Sequence, residues 1–441
     1  MVLHPYKDTY HLLDAVPLPP LQLLRQRFPR PRVQDIAEAV TLALASQDIP
    51  SQLKPGARIA LAVGSRGIAD LALIVRSLVA NLKHAGAEPF IVPAMGSHGG
   101  ASAEGQRAMI ESLGVTEAYC EAPIISSMEV DQLGSLPDGM PVYLDRVANA
   151  ADGIIVINRI KPHTDFSAPI ESGLSKMLAI GLGKHQGALT VHSWGLNGLC
   201  VQVPEVAKFS VAHAPILCGL AIVENAYDQV AEIACVLPSG IGNEPERVLS
   251  DRARSLMPRL PWDGLDVLVI DELGKNISGA GMDPNIIGRM RWGPQKETAA
   301  DVTTISVLRL TEPSHGNAIG LGLADFTTAQ LAEQIDTQSF YINCLTAGVF
   351  ALNSAKLPLV LETEREAVAA AIRSCGRPDA SQVQLVRIKN TLSLEYILAS
   401  PTSLETIRPT ADIELLGSPR PFYLAEDGTL PDFEAILQAL S

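Results

Sequence analysis

Short apolar runs that alternate with helix-length amphipathic stretches leave this chain few folds to choose from. RIALAVG at 58–64 is followed by Ser65-Arg66-Gly67, a helical stretch to about Ala85, Gly86 as a stop, and EPFIVPA at 88–94. That succession is a β-α-β unit. It continues through a GSHGG turn at 96–100, a helix near 102–113 and the strongly apolar GIIVINRI at 153–160, and an amphipathic helix near 34–46 precedes it. Strands spaced by helices imply a mainly parallel sheet covered on both faces. The Pro-rich MPRLPWDG at 257–264 interrupts the pattern, and LDVLVIDEL at 265–273, TTISVLRL at 303–310 and a helix near 328–335 resume it. The expectation is an α/β protein of two α/β domains, 1–262 and 263–441. Residues 14–32, rich in Pro and Arg, read as an extended lead-in rather than a packed element.

The balance of charge narrows the partners. With 34 Lys+Arg against 48 Asp+Glu the net charge is −14, which argues against nucleic acid or an anionic membrane surface. The start, MVLHPYKDTYHLL, has no basic patch followed by an apolar run, and no stretch approaches the ~20 apolar residues of a membrane span. A cytoplasmic protein is expected. The six cysteines are scattered without a CxxC pair and read as buried, reduced thiols.

In parallel sheets ligands bind beyond the carboxyl ends of the strands, where loops and helix N-termini converge. Arg66, His98, Lys161, His163, Asp271 to Lys275, and His315 all follow apolar strands. His84 and His213 sit in helix-like or apolar surroundings and carry no expected chemistry. The densest segment runs from Lys161 to His192 and holds three lysines, three histidines, two carboxylates and four glycines. Ser172, Gly173 and Ser175 lie where a helix would begin and could hold a phosphate, with Lys176 on the first turn. Lys184 and His185 read as a solvated helix face. No HExxH, GxGxxG or Walker loop is present.

Taken together, Ser65-Arg66, AMGSHGG with His98, KPHTDFSAPIESGLSKMLAIGLG with His163 and Lys176, and then His192 resemble the nickel-dependent lactate racemase family in order and approximate spacing. The likeness covers residues 55–200 and, more weakly, DELGKNISGAGMDPNIIGRMRWG at 271–293. It implies an isomerase with its active site in the interdomain cleft and a nickel-pincer nucleotide, a pyridinium mononucleotide holding Ni through carbon and two sulfurs. By matched position Lys176 would form the thioamide to the cofactor, and His192 would supply the fourth nickel ligand. His98 and His163 would be the acid/base pair, and Arg66 would bind the substrate carboxylate. The implied reaction inverts C2 of a 2-hydroxy acid by reversible hydride transfer through a bound 2-keto acid. Cofactor biosynthesis proteins would be its partners.

The sequence also departs from that family. The segment between His163 and Lys176 is longer, and GSHGG lacks the arginine that follows the histidine in lactate racemases. Where the family has a glutamine and a lysine in the second domain, MDPNIIGRMR offers glycine and arginine, so Arg289 or Arg291 stands for that lysine, with Lys275 and Asn276 as rivals. A longer substrate, such as a sugar acid or dicarboxylate, would fit the smaller side chains. Two other functions compete. A nicotinamide-dependent 2-hydroxy acid dehydrogenase would need a dinucleotide fingerprint, and a non-catalytic nickel or nucleotide binder would have no use for two imidazoles beside an arginine.

Overall fold

A computed structural model describes every residue but 1–4, 10, 66, 290–298, 423, 424, 426 and 439–441, and the side chains of 346, 347, 349 and 350 are also outside the described part. The chain divides into two compact units, one of residues 29–257 and one of residues 1–28 with 258–441. The break near 257 falls in the proline-rich segment that marks the expected boundary. The start of the chain belongs elsewhere than expected. β1 (Leu21–Arg27) is no lead-in but a largely buried strand of the second unit. Prolines on both sides bound a seven-residue window in which Leu21, Leu23 and Leu24 are buried. Its polar residues are tolerated because Gln22 donates to the Gly417 carbonyl and Gln26 to the Arg259 carbonyl.

In the 29–257 unit, β2 (Arg58–Val63), β3 (Glu88–Pro93), β6 (Gly153–Arg159), β7 (Ile216–Glu224) and β8 (Val230–Val236) form a sheet in the order β3-β2-β6-β7-β8. β4 (Val130–Ser135) and β5 (Pro141–Asp145) make a separate antiparallel ribbon. The first four strands of the sheet are parallel and β8 is antiparallel. Because strand side chains alternate, Ile59, Leu61 and Val63 enter one core with the helices Ile36–Ala45 and Leu71–His84. Ala60 and Ala62 enter the other, beneath Leu174, Met177, Leu178 and Leu182. Alanines on that face let the segment carrying Lys176 lie close against the sheet. Each large side chain so buried contributes about 1.5–3 kcal/mol.

The second unit is built from β9 (Gly264–Leu273), β10 (Asp301–Leu310), β11 (Phe326–Thr328), β12 (Leu359–Leu361), β13 (Leu385–Ile388), β14 (Tyr396–Ala399) and β15 (Asp412–Arg420) together with β1. The order is β12-β11-β10-β9-β13-β14-β1-β15, with the first five parallel and the last three antiparallel additions. Two α/β units with parallel-rich sheets therefore carry the expected fold class. No helix among the described residues is long and apolar enough to cross a membrane.

Asp271, a strand-end suspect by sequence, is structural. Arg387 on β13 meets it through Nε at 2.8 Å and Nη2 at 2.7 Å, with both side chains 2% exposed. Burial pushes the Asp271 carboxyl up, and the guanidinium opposes that. Arg387→Met is expected to cost about 3–5 kcal/mol in urea unfolding, because it strands a buried charge, while Arg387→Met/Asp271→Leu should recover most of it. A single variant as stable as the parent protein would show that the pair is not desolvated.

Candidate active site

The carboxyl ends of β3, β2 and β6 collect the residues singled out in the 29–257 unit. Beyond β6, the Lys161 N–H donates to the Ser172 carbonyl at 3.1 Å and closes the loop 161–172. Glu171, buried inside, accepts the His163 N–H at 2.6 Å and the Ala168 N–H at 3.1 Å, and Arg254 stands 3.2 Å from its Oε1. Phe166 stacks on the His163 ring at 4.5 Å between centroids. The backbone and one ring face of His163 are thus fixed. Its Nδ1 accepts the Asp165 N–H at 3.1 Å, so in the neutral ring Nε2 carries the proton, and Nε2 lies 2.7 Å from Lys176 Nζ. Amine and imidazole can share one proton.

Lys176 ends the short helix Leu174–Lys176 and leads into one π-helical turn, Met177–Gly181. Only glycine fits at 181, since a Cβ there would come within 2.5 Å of Met177 Sδ and 2.8 Å of the Ala94 carbonyl. The expected phosphate cradle before Lys176 is filled by the protein itself. The buried Glu246 accepts the Ser175 N–H at 2.9 Å, the Ser175 hydroxyl at 2.6 Å and the Gly242 N–H at 2.8 Å. The Gly173 carbonyl takes Asn158 at 2.8 Å, and Ser172 is paired with Lys161. The carboxylate takes both Ser175 donors, so Ser175 has none left for an anion, and the bonded carbonyls of Ser172 and Gly173 help to seat Lys176.

His98 follows β3 in the glycine turn, and its Nδ1 lies 2.5 Å from the Ser65 hydroxyl that follows β2. Arg66 lies outside the described residues. The turn is joined to the π-helical turn by the Gly96 N–H, which donates to the Gly181 carbonyl at 3.2 Å. His192 sits on the next helix, Lys184–Ser193, and its Nδ1 donates to the Ala188 carbonyl at 2.7 Å. That bond leaves the Nε2 lone pair for another partner, the tautomer a metal-binding imidazole needs. The ring edge reaches solvent, yet desolvation by the protein around it, with the Lys176 charge adding, holds it below the usual imidazole range. Among the described residues no group of three or more His, Cys, Asp or Glu is placed to hold a metal ion. A metal here would draw most of its donors from elsewhere.

Lys184 is the largest departure from expectation. It is fully buried at φ 54°, not on a solvated face. Its ammonium donates to the Pro93 carbonyl and, at 3.1 Å, to Gln106 Oε1, and stands 3.1 Å from the Asp145 carboxylate. Burial drives Lys184 down and Asp145 up, and their mutual attraction opposes both shifts. Sequence reasoning missed Lys184, Asp145, Gln106, Glu171 and Glu246 as organisers of the site. A lysine among three close glycines, GLGKHQG, was the available signal.

Two other expected residues lie in the second unit and are engaged there. Arg289 donates to the Leu323 carbonyl at 2.7 Å and the Thr303 carbonyl at 2.9 Å, and pairs with Asp325 at 2.6 Å. Lys275 donates to the Gly279 carbonyl and, at 3.0 Å, to Asn343. Arg289 is consumed by its own fold, as a chain clamp rather than a substrate group. Arg291 lies outside the described residues.

Glu246→Ala should unfold at lower urea by about 3 kcal/mol, since three buried donors lose their acceptor. Glu246→Gln should lose less, and a silent alanine variant would show that Ser175 finds water instead.

Comparison with known proteins gives the chain its relatives. Residues 16–197 match the lactate racemase N-terminal domain family, a span that holds Ser65, His98, His163, Lys176 and His192. Among solved structures, the lactate racemase apoprotein from Thermoanaerobacterium thermosaccharolyticum is 14% identical at a TM-score of 0.45, covering 84% of this chain and 88% of that one. A protein from Thermotoga maritima is also 14% identical at a TM-score of 0.45, covering 64% of this chain and 72% of that one. No curated protein matches. The likeness to a named family thus rests on residues 16–197, which are similar to the N-terminal domain of lactate racemases.

Proposed function

We propose that this protein is a racemase or epimerase that inverts C2 of a 2-hydroxy acid and carries a nickel-pincer nucleotide on Lys176 and His192. The observation that carries this reading is the 2.7 Å contact between Lys176 Nζ and His163 Nε2 at the carboxyl edge of the parallel sheet. A neutral ring with its proton on Nε2 faces Lys176 Nζ as a donor and so favours the neutral amine, the form that a covalent attachment to the cofactor would need. His192 offers one imidazole lone pair that would hold the nickel, with the remaining donors supplied by the cofactor. When bound, the cofactor supplies the acceptor for the C2 hydrogen.

The chain's own residues do the remainder. With the Lys176 amine tied up in a covalent bond to the cofactor, the His163 Nε2–H would serve the substrate oxygen as its proton donor, and in the reverse direction as the site that receives the proton. His98, steadied by Ser65, is the second acid/base group and serves the opposite enantiomer. An imidazole can hold a proton on one ring nitrogen and take one on the other, which is what an acid/base pair serving two enantiomers needs. Arg66 is assigned to the substrate carboxylate, which its planar fork can hold through reorientation of a keto acid. The substrate is a hydroxy acid longer than lactate, and the cytoplasm, where cofactor biosynthesis proteins act, is the proposed setting.

Protein made in cells that produce the cofactor should contain about one nickel per chain, with a mass adduct mapping to the peptide containing Lys176. Lys176→Ala should lose the adduct, whereas an adduct on Lys161 or Lys184 would move the attachment. His98→Ala and His163→Ala are each expected to lower racemisation by at least about a hundredfold, the range for loss of a general acid/base, while keeping the adduct. Near-normal turnover in either variant would reject the assignment. Reduction of added NAD by a hydroxy acid would favour a dehydrogenase.

A further inference from the structure

The turn that carries His98 is poorly fixed by its own sequence. Gly96, Gly99, Gly100 and Ala101 all have positive φ, between 52° and 65°, a region that its glycines enter without penalty and leave as easily. Its inward carbonyls have one buried donor in common. Gln106, fully buried on the helix Ala103–Ser112, donates through Nε2 to the Gly96 carbonyl at 2.8 Å and the His98 carbonyl at 3.3 Å, and its Oε1 accepts from Lys184 at 3.1 Å. Lys184 in turn meets Asp145 and opens the helix that bears His192. The amide therefore joins a turn to a segment 78 residues further on.

We infer that Gln106 is a positioning residue for His98, holding the turn in register with the segment that bears Lys176 and His192. A neutral amide suits the place, because it donates on one side and accepts on the other, which neither a carboxylate nor an ammonium can do. The helix seats against the same turn: a Cβ on Gly105 would come within 2.0 Å of the Gly99 carbonyl, so Gln106 is delivered at a fixed height. The catalytic meaning of the inference rests on the reading of His98 as an acid/base group. Misplacement of such a group by about 1 Å can cost a hundredfold in rate.

Ring resonances of the full chain with isotope-labelled histidine test this, with His98→Gln giving the assignment and Ser65→Ala marking a His98 ring without the Ser65 hydroxyl. Gln106→Glu is isosteric and keeps the Lys184 contact but cannot donate to the two carbonyls. It should shift the His98 resonances most of the way to their Ser65→Ala position and leave those of His163 and His192 in place. Gln106→Met, which also removes the Lys184 contact, should shift the His98 resonances at least as far. In a holoenzyme that turns over a hydroxy acid, kcat should fall by about tenfold or more with KM within about threefold. His98 resonances that stay at parent positions in Gln106→Glu would overturn the inference, as would equal displacement of all three rings, the mark of general loosening. The ring measurement needs no turnover. A protein inactive on every hydroxy acid would count against the proposed function and leave the positioning result standing.

Discussion

The ammonium of Lys184 and the carboxylate of Asp145 lie 3.1 Å apart with no solvent exposure, and the geometry of the candidate site follows from where they meet. Removing two ions from water costs several kcal/mol each, and their attraction offsets this only when every remaining donor and acceptor is satisfied. Lys184 donates to Gln106 and the Pro93 carbonyl and faces Asp145 Oδ2 as an ion pair, while Asp145 Oδ1 caps the turn that follows β5 by accepting the Ala148 N–H at 2.8 Å. Lys184 also adopts a left-handed backbone conformation, a cost of about 1–2 kcal/mol for a residue with a Cβ. One cation thereby binds the end of β3, the end of β5 and the start of the helix with His192.

Two buried carboxylates extend the same logic outward. Glu171 gathers the His163 loop from within, and Glu246 seats the short helix that ends in Lys176. In each case a charge stands where main-chain donors would otherwise be buried unpaired. His163 and Lys176 are thus brought to 2.7 Å by elements anchored independently. That arrangement holds the two side chains together without relying on their own attraction.

The strands of the 29–257 unit were legible because period and length agree: Ile59, Leu61 and Val63 alternate with Ala60 and Ala62, and both sets are buried. The strand-end rule pointed to His98 and His163, and both do lie beyond the carboxyl ends of parallel strands, while Lys176 stood out only by the density of charged residues around it. β1 was hidden by its flanking prolines and by arginines whose partners, Glu395 for Arg25 and Glu414 for Arg27, come some 370 and 387 residues later. The supposed phosphate cradle failed for a related reason. Local sequence shows donors at Ser175 but not the Glu246 carboxylate 71 residues on that takes them. Lys184 reads as solvated until Asp145, far upstream, is seen beside it. Charges are misread when their partners are distant, because a local window assigns water to every ion it cannot pair.

The retention of deuterium at C2 tests the account most directly. Holoprotein supplied with a 2-deuterated hydroxy acid in ordinary water should return the opposite configuration with its deuterium kept, because the hydrogen leaves and comes back without becoming a solvent proton. Product carrying solvent hydrogen at C2 would mean that a side chain abstracts a proton from carbon. The roles assigned to His98, His163 and Lys176 would then be wrong.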